Sequence, residues 1–499
     1  MIRSLVAFVA AAAPSVFAGT VAELRALPPE QVLDRIAQDS SEGASFLRGE
    51  ALLRASRIPE ALSAQQSFQS IFPGSVLQNR SRLVEAWALL LGGDHLRGCQ
   101  ILSELAAGTD SSVAAQAVAS LRDWIRSGSL PPSALLALPY LWPRIDDTTL
   151  RSATQAVPGG QIVALLPLTG PYAQIGRRVA KGAQLAALET RSGIVVVDEP
   201  ADPIQAALLV RGILRVARPR ALVGPLLSNT ASAVALEMAK SAPDVPMILP
   251  AATSPGVSTL DPSAWQINIT TATQGAAAAA LARGCLQSPE AYLLWPKTEF
   301  GESVADGFRQ EFARLGGHVA WQRSYSAGSN DFRPLLESLR RTEFDLARRR
   351  GKDTTSVWAV VFVPSESPSE ALALGAQASQ MGLKVRWIGA SGWHSRQFLL
   401  ETSGRMDGAY IVTDNIPDES RPAWKVFAQK WRASEGDSPD RLAALGWDAL
   451  QIAVQSPIPA VFSGAQSEIR LDYRTRVNRA AGLLRVDKGS FVPANCPGP

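Results

Sequence analysis

The sequence predicts an α/β chain: two doubly wound parallel-sheet lobes preceded by an all-α helical-repeat domain. Three observations predict it. The composition changes near residue 155, from alanine and leucine at helical spacing to β-rich apolar runs that alternate with longer amphipathic segments. From residue 160, strand-like and helix-like segments alternate, which calls for parallel pairing through right-handed crossovers. A second series of the same kind begins after an alanine-rich helix around residues 275–281.

The chain opens with Arg3, an unbroken apolar run from Leu5 to Ala13, and Val16 and Ala18 at the small-residue positions of a cleavage site. Residues 1–18 therefore read as a secretory signal peptide. That run is far shorter than the roughly 20 residues a membrane span needs, and no later segment is both long and charge-free enough. An exported, soluble mature chain is expected. The first cysteine is Cys99, so no lipid-attachment cysteine follows the cleavage site.

The 499 residues are 46% apolar and 19% charged, enough to fill more than one core. Basic and acidic residues, 49 and 45, leave a net charge of +4. The one dense basic cluster, Arg348 to Arg350 with Lys352, sits among Glu343, Asp345 and Asp353 and is expected to be a solvated turn. Nucleic-acid binding is excluded on that basis. Cys99, Cys285 and Cys496 form neither a dense disulfide framework nor a metal site; one bridge is possible, with one thiol left over.

Residues 19–155 make the helical domain. "LLRASRIPEALSAQQSF" (52–68) and "LLLGGDHLRGCQILSEL" (89–105) share a plan of helix, short turn and helix. Their offset of about 37 residues is near the period of tetratricopeptide-type hairpins, although an ordinary helical bundle remains open. Either suits protein contacts.

Residues 156–499 make the two lobes, the first from about 160 to 275 plus part of 390–455, the second from about 276 to 390 plus C-terminal segments. In the first, strands are expected at 161–168, 193–199, 221–224 and 246–250, with helices at 177–190, 203–217 and 229–241. In the second, strands are expected at 291–296, 318–325, 357–364 and 385–393, with helices at 304–315 and 370–381. Trp295, Trp321, Trp358 and Trp387 fall in these strands and read as core.

Ligands of such sheets bind outside the carboxyl ends of the strands. Three loops of the first lobe lie there: Thr169 to Ala173, Leu227 to Thr230 and Ala251 to Pro255. In "VGPLLSNT" (223–230), Gly224 and Pro225 end a strand and Ser228, Asn229 and Thr230 open a helix. Two readings stand, a helix cap or a ligand-facing helix N-terminus. Tyr172, behind the stiffening Pro171, is a candidate for the cleft mouth. Trp393, after Gly392 at a strand end, either stacks on a ligand or packs on the next helix.

The stretches "LPLTGPYAQIGRRVAKGAQLA", "LVGPLLSNT", "MILPAATSP", "TEFGES" and "LAALGWDAL" together resemble the type I periplasmic binding proteins, the superfamily of the leucine/isoleucine/valine receptors, over residues 160 to about 455. The resemblance implies two lobes that close on a small-molecule ligand by hinge motion. It places Ser228 where a hydroxyl meets the ligand's carboxylate and Thr253 where a hydroxyl and neighbouring backbone hold the zwitterion, with Ala251 also in place; Thr169 and Asn229, in the loops at the strand ends, complete the candidate cleft of the first lobe. Phe300 stands where those receptors often use tyrosine, and Ser391 where a carboxylate grips the ligand's ammonium. Without that carboxylate a bound amino acid would leave a poorly paired cation, so weak or absent amino-acid binding is expected.

The run from Val360 to Val412, with the helical domain ahead, is also similar to the penicillin-binding protein activators. That similarity implies a periplasmic regulator that contacts a peptidoglycan synthase, a penicillin-binding protein. The competing expectation is a solute receptor serving an ABC transporter permease. No cofactor, metal or catalytic residue is expected. His95, His318 and His394 lie in separate segments without metal-ligand spacing, and "GASGW" (389–393) has Trp393 where a nucleophile elbow needs glycine. No phosphate-binding loop of the G-x-x-x-x-G-K-[ST] type occurs.

Overall fold

The computed structural model describes residues 23–494, apart from 143–144, 147, 150, 152, 154–158, 350–358, 403 and 415–418. The expected signal peptide, Trp358, Lys352 and Cys496 therefore lie outside the described residues. No described helix is long and apolar enough to cross a membrane. The chain groups into two bodies.

The first body is helical. Helices Glu42–Arg54, Ile58–Ile71, Gln78–Leu91, His95–Ala106 and Ser111–Arg126 follow one another with short turns. Each packs on the next; Glu42–Arg54 also meets Gln78–Leu91, and Gln78–Leu91 meets Ser111–Arg126. The two turns singled out in the sequence are the same structure. In the first, the amide of Arg57 donates to Leu52 O (2.9 Å) and that of Ser56 to Leu53 O (3.0 Å); in the second, Asp94 donates to Leu89 O (2.9 Å) and Gly93 to Leu90 O (3.3 Å). Ser56 and Gly93 both have positive φ, 60° and 92°. This is the left-handed helix stop that frees the chain to turn back. Helix Pro203–Val216 groups largely with this body: Tyr140 Oη donates to Gln205 Oε1 (2.8 Å), and a Cβ on Gly212 would come 3.0 Å from Tyr140 N.

The second body carries two sheets. Strands β1 (Ile162–Leu166), β3 (Ala221–Val223), β4 (Met247–Leu249), β5 (Ala264–Gln266), β11 (Val461–Ser463), β12 (Glu468–Asp472) and β13 (Val477–Asn478) lie in the order β11-β12-β13-β5-β4-β3-β1. Strand β2 (Ile194–Asp198) has its ends in this body and its middle, Val195–Val197, in the first. The other sheet runs β15-β14-β10-β9-β8-β6-β7, with β6 Glu290–Pro296, β7 His318–Tyr325, β8 Ala359–Val363, β9 Val385–Gly389, β10 Tyr410–Thr413, β14 Gly482–Asp487 and β15 Ser490–Pro493. The strands β1 to β10 that pair within these sheets do so in parallel; the antiparallel pairs, β11 with β12, β12 with β13, β10 with β14 and β14 with β15, all involve strands after Val461. The sheets are mixed for that reason: the last strands return as hairpins at the edges.

Strand parity divides the second sheet's core. Tyr292, Leu294, Val361 and Val363 face a cluster with Trp321, Trp387 and Phe398, while Leu293, Val360 and Phe362 face Phe308 and Phe312. Trp321 and Trp387 are buried; Trp295 is half-buried beneath Arg309, whose guanidinium carbon lies 5.1 Å from its ring centre.

Each sheet carries a tight helix crossing made by small residues. A Cβ on Gly182 would fall 1.8 Å from Ala443 O, and one on Gly446 would fall 1.9 Å from Val179 O, so helices Ala173–Thr190 and Arg441–Ala453 touch backbone to backbone. In the other lobe a Cβ on Gly275 would fall 2.1 Å from Val304 O and one on Gly307 would fall 2.6 Å from Ala272 O, between Thr271–Ala280 and Glu299–Arg314.

Three expectations are corrected. Helix Ala173–Thr190 begins four residues before the expected 177, and Glu299–Arg314 begins five before 304, where Thr298 Oγ1 caps it by accepting from Gly301 N (3.0 Å). The basic cluster is no turn at its start: Arg348 and Arg349 close helix Arg333–Arg349, whose charged face hid it from the apolar pattern. Cys285 is disulfide-bonded, and Cys99 is a free thiol that burial pushes up to about 12.

Candidate functional site

The strands β1, β3 and β4 end together, and side chains of neighbouring loops stitch their ends. Asp198 closes β2. It accepts from the amides of Leu168 (2.6 Å) and Thr169 (3.2 Å) and from Thr169 Oγ1 (2.6 Å), which fixes the loop after β1. Glu199, 3% exposed, turns to the next loop and accepts from Leu226 N (2.9 Å), Leu227 N (3.5 Å) and the hydroxyl of Thr230. Burial holds its carboxyl above the usual range, against those three donors.

The corner of "VGPLLSNT" exists because Gly224 allows it. Its φ is +96°, and a Cβ there would sit 2.1 Å from Leu165 O, so neither the conformation nor the space admits a side chain. Helix Ser228–Ser241 follows at once. Its N-cap residue is Leu227, which has no capping side chain; Asn229 Oδ1 accepts from Thr230 N (2.8 Å) instead. Ser228 does not cap the helix. Its Oγ reaches across to the loop after β4 and accepts from Thr253 N (3.2 Å) and Ser254 N (3.2 Å). Both hydroxyl lone pairs are thereby used, and the hydroxyl proton remains for another acceptor. The same loop is held from beneath by buried Gln266, whose Nε2 donates to Ala252 O (3.0 Å) and Ser254 O (3.0 Å).

The expected site residues thus divide. Ser228 and Thr253 are brought together and half-buried, with half-buried Ala251 on the same loop and exposed Asn229 on the same helix turn. Thr169 is committed to Asp198. Tyr172 is 44% exposed at the start of helix Ala173–Thr190. In the second lobe Phe300 is half-buried against the Phe308 cluster, in the first turn of its helix, not in a loop. Ser391 opens a short 3-10 turn, half-buried. Of the two readings of Trp393, packing on the next helix holds and its place among the ligand-binding residues is corrected: it is fully buried, stacked on Phe398 at 5.4 Å and 21°, over the space that Gly389 leaves empty, so it presents no surface to a ligand.

Two features were missed in the sequence. The Ser391–Trp393 turn lies on the loop after β8: a Cβ on Gly392 would fall 2.2 Å from Glu366 Cα. Glu366 is exposed and has no hydrogen-bond or ion-pair partner. The backbone of an acidic residue therefore lies against the turn that Ser391 opens, contributed by a residue too far along the chain for spacing to reveal. The second feature ties the crossings between the sheets. Asp414, after β10, pairs with Arg441 and accepts from Asn268 Nδ2 (3.5 Å), which follows β5. Among the described residues, no group of three or more His, Cys, Asp or Glu side chains is placed to hold a metal ion.

No curated protein matches the chain. Among solved structures, a branched-chain amino acid ABC transporter protein from Rhodospirillum rubrum, described as putative, is 20% identical with a TM-score of 0.58, covering 68% of this chain and 100% of its own. The ABC transporter substrate-binding protein from Sphaerobacter thermophilus is 19% identical at 0.52, covering 68% and 98%. A solute-binding protein of an ABC transporter from Rhodopseudomonas palustris HaA2, in complex with p-hydroxybenzoic acid, is 16% identical at 0.50, covering 68% and 97%. These likenesses establish the fold. A family model described as periplasmic binding protein matches residues 161–456, more than half of the chain, and the chain belongs to that family, in its type I, leucine-binding-like form.

Proposed function

We propose that the protein is an exported, non-enzymatic regulator of peptidoglycan synthesis, akin to the penicillin-binding protein activators, with a binding-protein module behind a tetratricopeptide-like domain of residues 19–155. The observation that carries this reading is the helical body. Solved transport receptors are covered almost whole by 68% of the chain, which leaves the repeated hairpins outside the match. A receptor that only delivers a solute has no use for so large a contact surface. Ser391, in place of an ammonium-gripping carboxylate, points the same way. The test is direct: the glycan polymerisation rate of a purified penicillin-binding protein is measured with and without the mature chain. Stimulation that survives a Ser228→Ala change but not removal of the helical body supports the reading, and no stimulation refutes it.

One observation favours a solute receptor serving an ABC permease. Glu366 supplies the second lobe's edge with an unpartnered carboxylate, opposite in charge to an ammonium. In that reading Ser228, Thr253 and Glu366 hold the ligand, and Glu366→Gln abolishes its binding.

A further inference from the structure

The helical body contains a pocket that the family match does not reach. It is a small recess of about 20 Å³ that opens to solvent, and Arg25, Phe46, Glu50, Arg80, Trp87 and Gln116 are among its lining. Glu50 is 6% exposed and is gripped by both arms of Arg25, Nε to Oε2 at 2.8 Å and Nη2 to Oε1 at 2.9 Å. Arg54 is spent on backbone, donating to Arg25 O (2.9 Å) and Leu27 O (2.8 Å). Arg80 is different: half-buried, lining the pocket, and without any hydrogen-bond or ion-pair partner. Three guanidiniums thus surround one carboxylate that Arg25 already satisfies. The pocket keeps an excess of positive charge, with the free planar fork of Arg80 in a lining it shares with Phe46 and Trp87.

We propose that this pocket receives an aspartate or glutamate side chain from an acidic segment of a partner protein, with Arg80 as the bidentate donor. The chemistry favours a carboxylate. One guanidinium fork matches its two oxygens in a plane, and the apolar walls desolvate the pair enough to make it stronger than a surface ion pair. Because the pocket lies in the helical body, the proposal stands or falls separately from any reading of the cleft.

The test uses the mature chain and a fluorescein-labelled pentaglutamate peptide, followed by fluorescence polarisation at low salt. Arg80→Gln is expected to weaken binding by about tenfold or more. Arg126→Gln, which removes only an exposed pair with Asp123, is expected to change it less than about twofold. Pentaglutamine should not bind. Arg80→Lys keeps the charge but not the fork and is expected to fall between, which decides the matter if Arg80→Gln lowers the thermal midpoint. Equal loss in the Arg80 and Arg126 variants would reduce the effect to net charge and overturn the proposal. So would displacement of the peptide by inorganic phosphate at lower concentrations than by free glutamate.

Discussion

Gly182 and Gly446 let two helices of the first lobe meet backbone to backbone, and Gly275 and Gly307 do the same in the second. Beyond that shared crossing the lobes part. The first lobe's strand ends are tied loop to loop by Asp198, Glu199, Ser228 and Gln266, each side chain accepting from or donating to the neighbouring backbone. In the second lobe the large residue at the edge, Trp393, has turned inward, and the exposed Glu366 is left without a partner. The carboxylates of the first edge, Asp198 and Glu199, are spent on its own loops, whereas the second edge, tied in its turn by buried Glu370, keeps Glu366 exposed and unspent. The difference teaches where a ligand's identity would be read: the first lobe supplies shape and donors, the second the sign of the charge.

The shared crossing sets the largest expected effect. Gly446→Leu and Gly275→Leu each force a side chain into a carbonyl and are expected to cost about 3 kcal/mol or more, visible as lost folded yield and a lower urea midpoint. A large loss in one lobe and none in the other would break the comparison.

Next comes a buried carboxylate of the first lobe. Asp448 is 3% exposed and pushed up to about 7 by burial, although its Oδ1 accepts from Ala465 N at 2.7 Å. An unfolded carboxyl titrates near pH 4, at about 3.9. Between those values the folded chain keeps a proton that the unfolded chain has released. The contribution of Asp448 therefore falls as pH rises from about 4 to about 7 and is constant outside that window. Asp448→Asn is expected to flatten this slope in urea midpoints taken across that range; an unchanged slope would assign the pH dependence elsewhere.

The smallest effects sharpen the contrast between the edges. Ser228→Ala leaves the amides of Thr253 and Ser254 without their acceptor and is expected to cost on the order of 1 kcal/mol. Ser391→Ala, which removes no side-chain hydrogen bond seen in the fold, is expected to stay within about 0.5 kcal/mol. Equal losses would mean that the two edges are organised alike.

Much of the fold was legible because its signals are local. Apolar runs marked β1 and β8, and the repeated turn near residues 57 and 94 was visible as small residues between helical patterns. The short strands β5 and β10 to β15 were not, since two to six residues carry too little period to be told from loops. Helix Arg333–Arg349 escaped for the opposite reason, its many charges masking the apolar face. In the site, Ser228 and Thr253 stood out in loops at strand ends. The contribution of Glu366 arises only when the turn after β9 is laid on the loop after β8, and the burial of Trp393 depends on the space at Gly389. Both are facts of tertiary packing.

The central claim is that the cleft is not that of a free amino-acid receptor. It is tested most directly by the thermal midpoint of residues 19–499 against amino acids, small organic acids and peptidoglycan fragments at millimolar concentration. A ligand at about 100 times its dissociation constant adds roughly 2.7 kcal/mol, a readily measured shift. The account expects no free amino acid to produce it. An amino acid that raises the midpoint, with the shift lost in both Ser228→Ala and Glu366→Gln, would contradict the account and make the protein a transport receptor.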